Sequence, residues 1–154
     1  MYLTPACIDD IENILSVETE SFVQPWRRQA LLDELTHPDA FQCVARQALP
    51  AKGQEVVVGY ILVRFLLDEM HLMKLAVAPR WRRRGIATDL LVAAQQEASR
   101  RDATVILLEV RPSNEAAVLF YHAAGFQIIG RRPNYYPQTG EDALVMLKRL
   151  KEES

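Results

Sequence analysis

Apolar positions recur along the chain at two spacings, and the switches between them lay out the elements. Over residues 9–22, Ile11, Ile14, Leu15 and Phe22 share one helical face, with Asp9 or Asp10 placed to start the helix. Gln24-Pro25-Trp26 breaks it, and Pro25 suits the first turn of a second helix. That helix carries Ala30, Leu31 and Leu35 and stops at His37, because Pro38 disfavours α geometry in the residue before it. Residues 2–6 and 41–45 read as strands, and Pro50 and Gly53 mark residues 49–54 as a hairpin loop. A long β-branched and apolar run, 55–67, predicts a buried strand in which Gly59 marks a bulge or a close backbone neighbour. Asp68-Glu69 makes a turn, and residues 70–77 return as the next strand. Pro79 ends that strand, an arginine run follows, and a helix beginning near Gly85 puts Ala87, Leu91, Ala94 and Ala98 on one face.

Residues 104–110 are nearly all apolar, as in a central strand covered on both sides. Another helix runs from Asn114, with Ser113 or Asn114 as N-cap and Gly125 as its stop. Residues 126–130 and 143–147 close the pattern as strands, joined by the polar segment 131–142. Helices alternating with strands define an α/β class: one domain over residues 1–154, a mixed, twisted central sheet and about four helices.

Composition narrows the function. With 49% apolar and 25% charged residues the chain is that of a globular protein, and a formal charge of −2 argues against general nucleic-acid binding. Cys7 and Cys43 read as reduced, buried thiols. The first residues lack the basic and apolar regions of a signal peptide, and no apolar run would span a bilayer, so a cytoplasmic protein away from membranes is expected. His37, His71 and His122 have no ligand spacing with cysteine or carboxylates, so no metal is expected. Asp68-Glu69 reads as a solvated turn and residues 148–152 as a charged tail.

The chemistry concentrates where the arginine run enters its helix. In Arg82-x-x-Gly85-x-Ala87 the first helical N–H groups have no intrahelical acceptor and point outward, as in a site for phosphate oxygens. Gly85 lets a ligand approach the backbone, and Ala87 keeps the first turn free of bulk. Arg82, Arg83 and Arg84 add positive charge. The pattern fits a pyrophosphate cradle or, more simply, a solvated arginine turn. A second pattern, Asn114-x-x-Ala117-x-x-x-Tyr121-x-x-x-Gly125-Phe126, presents Ala117, Tyr121 and Ala124 on one face; alone it reads as a core tyrosine. The two patterns together resemble the GNAT superfamily of acyl-CoA-dependent N-acyltransferases, across the whole chain.

Leu108-Glu109-Val110-Arg111-Pro112-Ser113-Asn114 and Arg131-Arg132-Pro133-Asn134-Tyr135-Tyr136-Pro137 are similar to one branch of it, the bacterial ribosomal-protein-alanine N-acetyltransferases. So are residues 22–26 and Asp68-Glu69 followed by Leu75-Ala76-Val77. Pro133 departs from that branch, which runs Arg-Arg-Asn-Tyr-Tyr. The resemblance implies acetyl-CoA as donor. It assigns backbone groups of Leu75, Ala76 and Val77 to the pantetheine and thioester oxygen. Arg83, Arg84, Gly85, Ile86, Ala87 and Thr88 go to the pyrophosphate, with Arg82 at the motif's first position, and Asn114 to the pantetheine arm. Trp26, Arg132, Asn134, Tyr135 and Tyr136 fall to the acceptor, an N-terminal amine of a ribosomal protein, in an enzyme expected to be a monomer or weak dimer.

The reaction adds its own demands. An ammonium must lose a proton before it can attack a thioester. Glu109, at the C-terminal end of an apolar strand, is the candidate base if burial keeps it basic; its other reading is an ion pair with Arg111 or with Arg131 and Arg132. Tyr121 is a usable but minor proton donor to the departing thiolate. Direct attack leaves Cys7 and Cys43 without a nucleophilic role. A small amine or lysine side chain as acceptor, a non-catalytic acyl-CoA-binding module and a nucleic-acid patch at the arginines are the other readings.

Overall fold

In the computed structural model, residues 1–22, 24–51 and 53–150 are described; Val23, Lys52 and residues 151–154, parts of the 22–26 segment, the 49–54 loop and the charged tail, lie outside them. Among the described residues seven strands form one sheet: β1 (Tyr2–Pro5), β2 (Ala40–Ala48), β3 (Glu55–Leu66), β4 (Glu69–Val77), β5 (Val105–Val110), β6 (Gln127–Tyr136) and β7 (Glu141–Arg149). Their order is β1-β2-β3-β4-β5-β7-β6, antiparallel except between β4 and β5. α1 (Ile11–Ser21) and α2 (Arg28–Thr36) cover one face. α3 (Ile86–Arg100) and α4 (Glu115–Ala123) cover the other.

The parallel pairing sets up everything that follows. It runs from Glu69↔Val105 through Met70↔Ile106 to His71↔Leu107 and stops there, so β4 and β5 splay apart over their C-terminal halves. A bulge contributes: Val63 pairs with Leu72 and Leu62 with Lys74, leaving Met73 as an extra residue. The insertion reverses the side-chain phase of β4. Before it Met70 and Leu72 pack on the α3 face; after it Leu75 and Val77 do, while Ala76 faces α1. A second bulge lies at Val58, between Ala45↔Gly59 and Arg46↔Val57.

The bulge lies one residue before Gly59, at Val58, and Gly59 itself has the close backbone neighbour that is one of its two readings. A Cβ there would lie 3.1 Å from the Ala76 carbonyl oxygen and 3.3 Å from side-chain carbons of Ile86 and Leu90, so the missing side chain lets α3 settle on the sheet. Gly59→Ala is expected to cost about 1–2 kcal/mol and to lower Tm by roughly 3–6 °C, measured by thermal denaturation.

Several sequence expectations need correction. Residues 131–136 belong to β6, not to a polar connector; β6 is an exposed edge strand whose polar side chains carry no alternation to read, and the turn is only residues 137–140. β5 is buried on one face only: Ile106, Leu108 and Val110 point into the core while Val105, Leu107 and Glu109 are half-buried. α2 starts at Arg28, which leaves Pro25 before its first turn. The turn before β4 is Leu67-Asp68, with Glu69 already paired to Leu66. Lys148 and Arg149 lie in β7 rather than a tail. Cys43 is buried but Cys7 is exposed, on the N-terminal side of a 3-10 turn capped by Asp10. No helix among the described residues is long and apolar enough to cross a membrane.

Candidate active site

The splay opens into a cleft of about 590 Å³ on the α3 and α4 face. Leu75, Ala76 and Val77 of β4 form one wall, and α4 forms the other with Asn114, Ala117 and Tyr121. Ser21 and Phe22 close it at the end of α1. Arg82, Arg83, Gly85, Ile86, Ala87 and Thr88 line the end where α3 begins.

That end is built to take an anion. Arg83 (φ 63°) and Gly85 (φ 80°) both have left-handed backbones, a conformation found in backbone nests that bind anions. Gly85 is the N-cap of a fifteen-residue helix and offers no side-chain acceptor, so the free N–H groups of its first turn remain for a ligand. The three arginines have separated duties. Arg83 lines the cleft. Arg82 donates through Nε to the Val77 carbonyl at 2.9 Å and through Nη2 to Ser21 Oγ at 3.3 Å, which braces the cradle against β4 and α1. Arg84 is the exception to the predicted set: its guanidinium lies 4.7 Å over the Trp81 ring and lines no part of the cleft.

On α4, Asn114 is the N-cap, its Oδ1 accepting from the Ala117 N–H at 3.2 Å. Gly125 (φ 99°) provides the stop. Tyr121 stands edge-on to Phe120 and Phe126 at 5.3 and 5.5 Å. Burial raises its pKa well above the usual phenol value.

The opposite face of the splay carries a different set. Glu109 belongs to the β5 residues that point away from the α3 core, and Arg132 Nε lies 3.3 Å from its Oε1. The Glu109 side chain is 23% exposed, and it is ion-paired, which is the other of its two sequence readings. Tyr135 and Tyr136 meet edge-on at 5.0 Å, and the Arg111 guanidinium sits 4.1 Å over Tyr136. Burial, first of all, raises the pKa of both tyrosines, and the Glu109 charge adds to it, which puts both phenols within electrostatic reach of that carboxylate.

Pro133 leaves Arg131 and Arg132 paired with β7 and shifts the pairing beyond them by two residues. Arg131 pairs with Leu144 and Arg132 with Ala143, then pairing resumes only at Tyr136↔Glu141, so the proline lies in an edge-strand bulge where its missing N–H costs nothing. Asn134 (φ 50°) completes the bulge by donating its N–H to Asp142 Oδ1 at 3.0 Å. Glu141 ties the hairpin to the loop after β5, accepting from Ser113 Oγ at 2.9 Å and from the Ser113 N–H at 3.2 Å.

Sequence reasoning missed a buried cluster beneath this face. Glu18 is fully buried in α1. It accepts from the Tyr60 hydroxyl, from Lys74 Nζ at 2.9 Å and from the Trp26 N–H at 2.7 Å. Lys74 Nζ in turn lies 3.7 Å from the Phe22 ring centroid and 5.2 Å from that of Trp26. Burial pushes the Lys74 pKa down, the Glu18 carboxylate opposes that shift, and the Arg111 charge reinforces it. A signal existed: Glu18 continues the Ile14 face at i+4, and Lys74 interrupts an apolar strand. Among the described residues no group of three His, Cys, Asp or Glu could hold a metal.

A profile of the Acetyltransferase (GNAT) family matches residues 8–126. The chain belongs to the GNAT family. It is therefore an acetyltransferase, with acetyl-CoA as donor. The ribosomal protein bS18-alanine N-acetyltransferase of Haemophilus ducreyi is 31% identical over 140 residues, covering 89% of this chain and 92% of that protein. The crystal structure of the ribosomal-protein-S18-alanine N-acetyltransferase from Escherichia coli superposes with a TM-score of 0.86 at 26% identity, covering 99% of this chain and 96% of that one. Arabidopsis thaliana NAA60 in complex with acetyl-CoA matches with a TM-score of 0.88 over 96% of this chain and 97% of that one; at 16% identity the likeness is one of fold.

Proposed function

We propose that this acetyltransferase acts on the α-amine of a protein N-terminus, with the N-terminal alanine of a ribosomal protein as its acceptor in the cytoplasm. The observation that carries the reading is the two-sided splay. A donor cleft opens on the α3 and α4 face, and a carboxylate paired with Arg132, with Tyr135 and Tyr136 in electrostatic reach, stands on the other. The names of the relatives in Haemophilus ducreyi and Escherichia coli point to the same acceptor.

The cleft fits acetyl-CoA on its own features: left-handed turns and a free helix N-terminus at one end, a largely apolar lining, and a place beside the splayed strands β4 and β5. Arg83, Gly85, Ile86, Ala87 and Thr88 hold the pyrophosphate, while Leu75, Ala76, Val77 and Asn114 take the pantetheine arm. When bound, the donor supplies an acetyl thioester.

Glu109 then accepts a proton from the incoming ammonium, which takes the place of the Arg132 guanidinium at the carboxylate. Arg132 is 57% exposed, so releasing it costs little. The amine nitrogen bonds to the acetyl carbon, β4 N–H groups stabilise the charge on its oxygen, and the carbon–sulfur bond breaks. Tyr121 can give its proton to the sulfur and is reprotonated as the nitrogen sheds its second proton, while Glu109 returns the first to solvent, so amide, CoA thiol and one proton leave the site.

A thiolate with a pKa near ~8.5 leaves without much help, so Tyr121→Phe is expected to reduce kcat by only about fivefold at unchanged KM for both substrates. The acceptor assignment is checked by CoA release on a peptide beginning in alanine, set against polyamines and aminoglycosides. Turnover on the peptide alone is expected; faster turnover on a small amine would refute it.

A further inference from the structure

We propose that Glu18 and Lys74 are positioning residues that together set the acceptor wall of the active site. The inference rests on the proposed peptide acceptor and concerns how that acceptor is received. No step of the transfer uses either group, yet both are held at a cost that packing alone does not explain. Glu18 is fully buried, and Lys74 lies in a strand otherwise apolar from Leu72 to Ala78. Burying an ion pair rarely stabilises a fold over a well-packed apolar pair, so its contribution is sought in geometry.

The geometry is specific. The Met73 bulge turns Lys74 to the α1 face, directly opposite Glu18. Glu18 spends one oxygen on the Tyr60 hydroxyl of β3 and the other on Lys74 and the Trp26 N–H. The chain leaving α1 is thereby fastened to the central sheet at Trp26. Lys74 then presents its ammonium to the Phe22 ring, and Phe22 is a wall of the donor cleft. Arg82 fixes the preceding residue, Ser21, from the cradle side. Residues 21, 22 and 26 are thus pinned from two directions, and one pin is the Glu18–Lys74 pair. The Lys74 ammonium also lies within electrostatic reach of Arg111, whose guanidinium covers Tyr136.

The test measures kcat, both KM values and Tm for Lys74→Met, Lys74→Arg, Glu18→Gln and the double variant Glu18→Gln/Lys74→Met. Lys74→Met is expected to raise KM for an alanine-initiated peptide about tenfold or more and KM for acetyl-CoA by about threefold or less. Phe22 closes only one end of the donor cleft, while the Arg83–Thr88 end and the Leu75–Val77 wall stay in place. Lys74→Arg keeps the charge and is expected to recover most of the peptide KM. The double variant buries no unpaired charge, so it is expected to regain Tm while keeping the weakened peptide KM.

Three results overturn the proposal. One is a parallel loss of both KM values and kcat that follows Tm; another is a stable double variant with wild-type peptide KM. The third is a double variant that does not fold, which would make the pair a folding element instead. Should Lys74→Met alone not fold, the double variant decides. If the wild-type enzyme acetylates no peptide, the acceptor reading fails first, and the wild-type arm reports this separately.

Discussion

Glu109→Gln is expected to lower kcat on an alanine-initiated peptide by about 10²- to 10⁴-fold while acetyl-CoA binds as before. The amide keeps the shape of the carboxylate but cannot take the proton that the ammonium must lose. Glu109 lies outside the residues that line the donor cleft, so the donor's affinity has no reason to change. The pair with Arg132 makes the result diagnostic. If the Glu109–Arg132 pair served only to hold β6 against β5, Arg132→Ala would be as damaging as Glu109→Gln. An exchange in which the substrate ammonium replaces Arg132 instead predicts a mild effect for Arg132→Ala and a severe one for Glu109→Gln. Steady-state kinetics of both variants, with acetyl-CoA affinity measured by calorimetry, separate the two accounts.

Ala87→Phe is expected to weaken acetyl-CoA binding about 100-fold or more, roughly 2.8 kcal/mol, with little change in Tm. Ala87 lines the cleft in the first turn of α3, beside the left-handed turns at Arg83 and Gly85. A phenyl ring there occupies the space through which the pyrophosphate reaches the free N–H groups. Ala87 is only partly buried against the core, so the ring has room to extend into the cleft instead of displacing the sheet. Arg84→Ala is the matched comparison: its guanidinium lies over the Trp81 ring without itself lining the cleft, and its loss is expected to change affinity by about threefold or less, a charge effect screened by solvent. Isothermal titration with acetyl-CoA reads both.

What the chain's pattern disclosed and what it hid have separate physical causes. The cradle and the α4 motif are local: a left-handed Gly85, an Asn114 cap and a buried Tyr121 each follow from a few neighbouring residues. The acceptor side is assembled across distance. Glu109 reaches β6, Arg111 reaches Tyr136, and Glu18 reaches β3 and β4; the chain offers the Glu109–Arg132 pair as one of two readings and marks Glu18 and Lys74 singly, but only the fold brings them together. The first part of β6 reads as a strand, but residues 131–136 were illegible because an exposed edge strand needs no apolar alternation. The Met73 bulge was illegible because a one-residue shift of phase leaves composition unchanged while moving Lys74 to the other face. Likewise the arginine run advertised one positive patch. Backbone geometry divided it into a brace at Arg82, a cleft residue at Arg83 and an aromatic stack at Arg84.

The central claim is transfer to an N-terminal α-amine, and tandem mass spectrometry addresses it directly. A peptide beginning in alanine and containing an internal lysine is incubated with enzyme and acetyl-CoA, and the position of the added acetyl group is located by fragmentation. The account predicts a single acetyl group on the alanine nitrogen, with no product from the same peptide carrying a blocked N-terminus. Acetylation of the lysine, or of the blocked peptide, would contradict it.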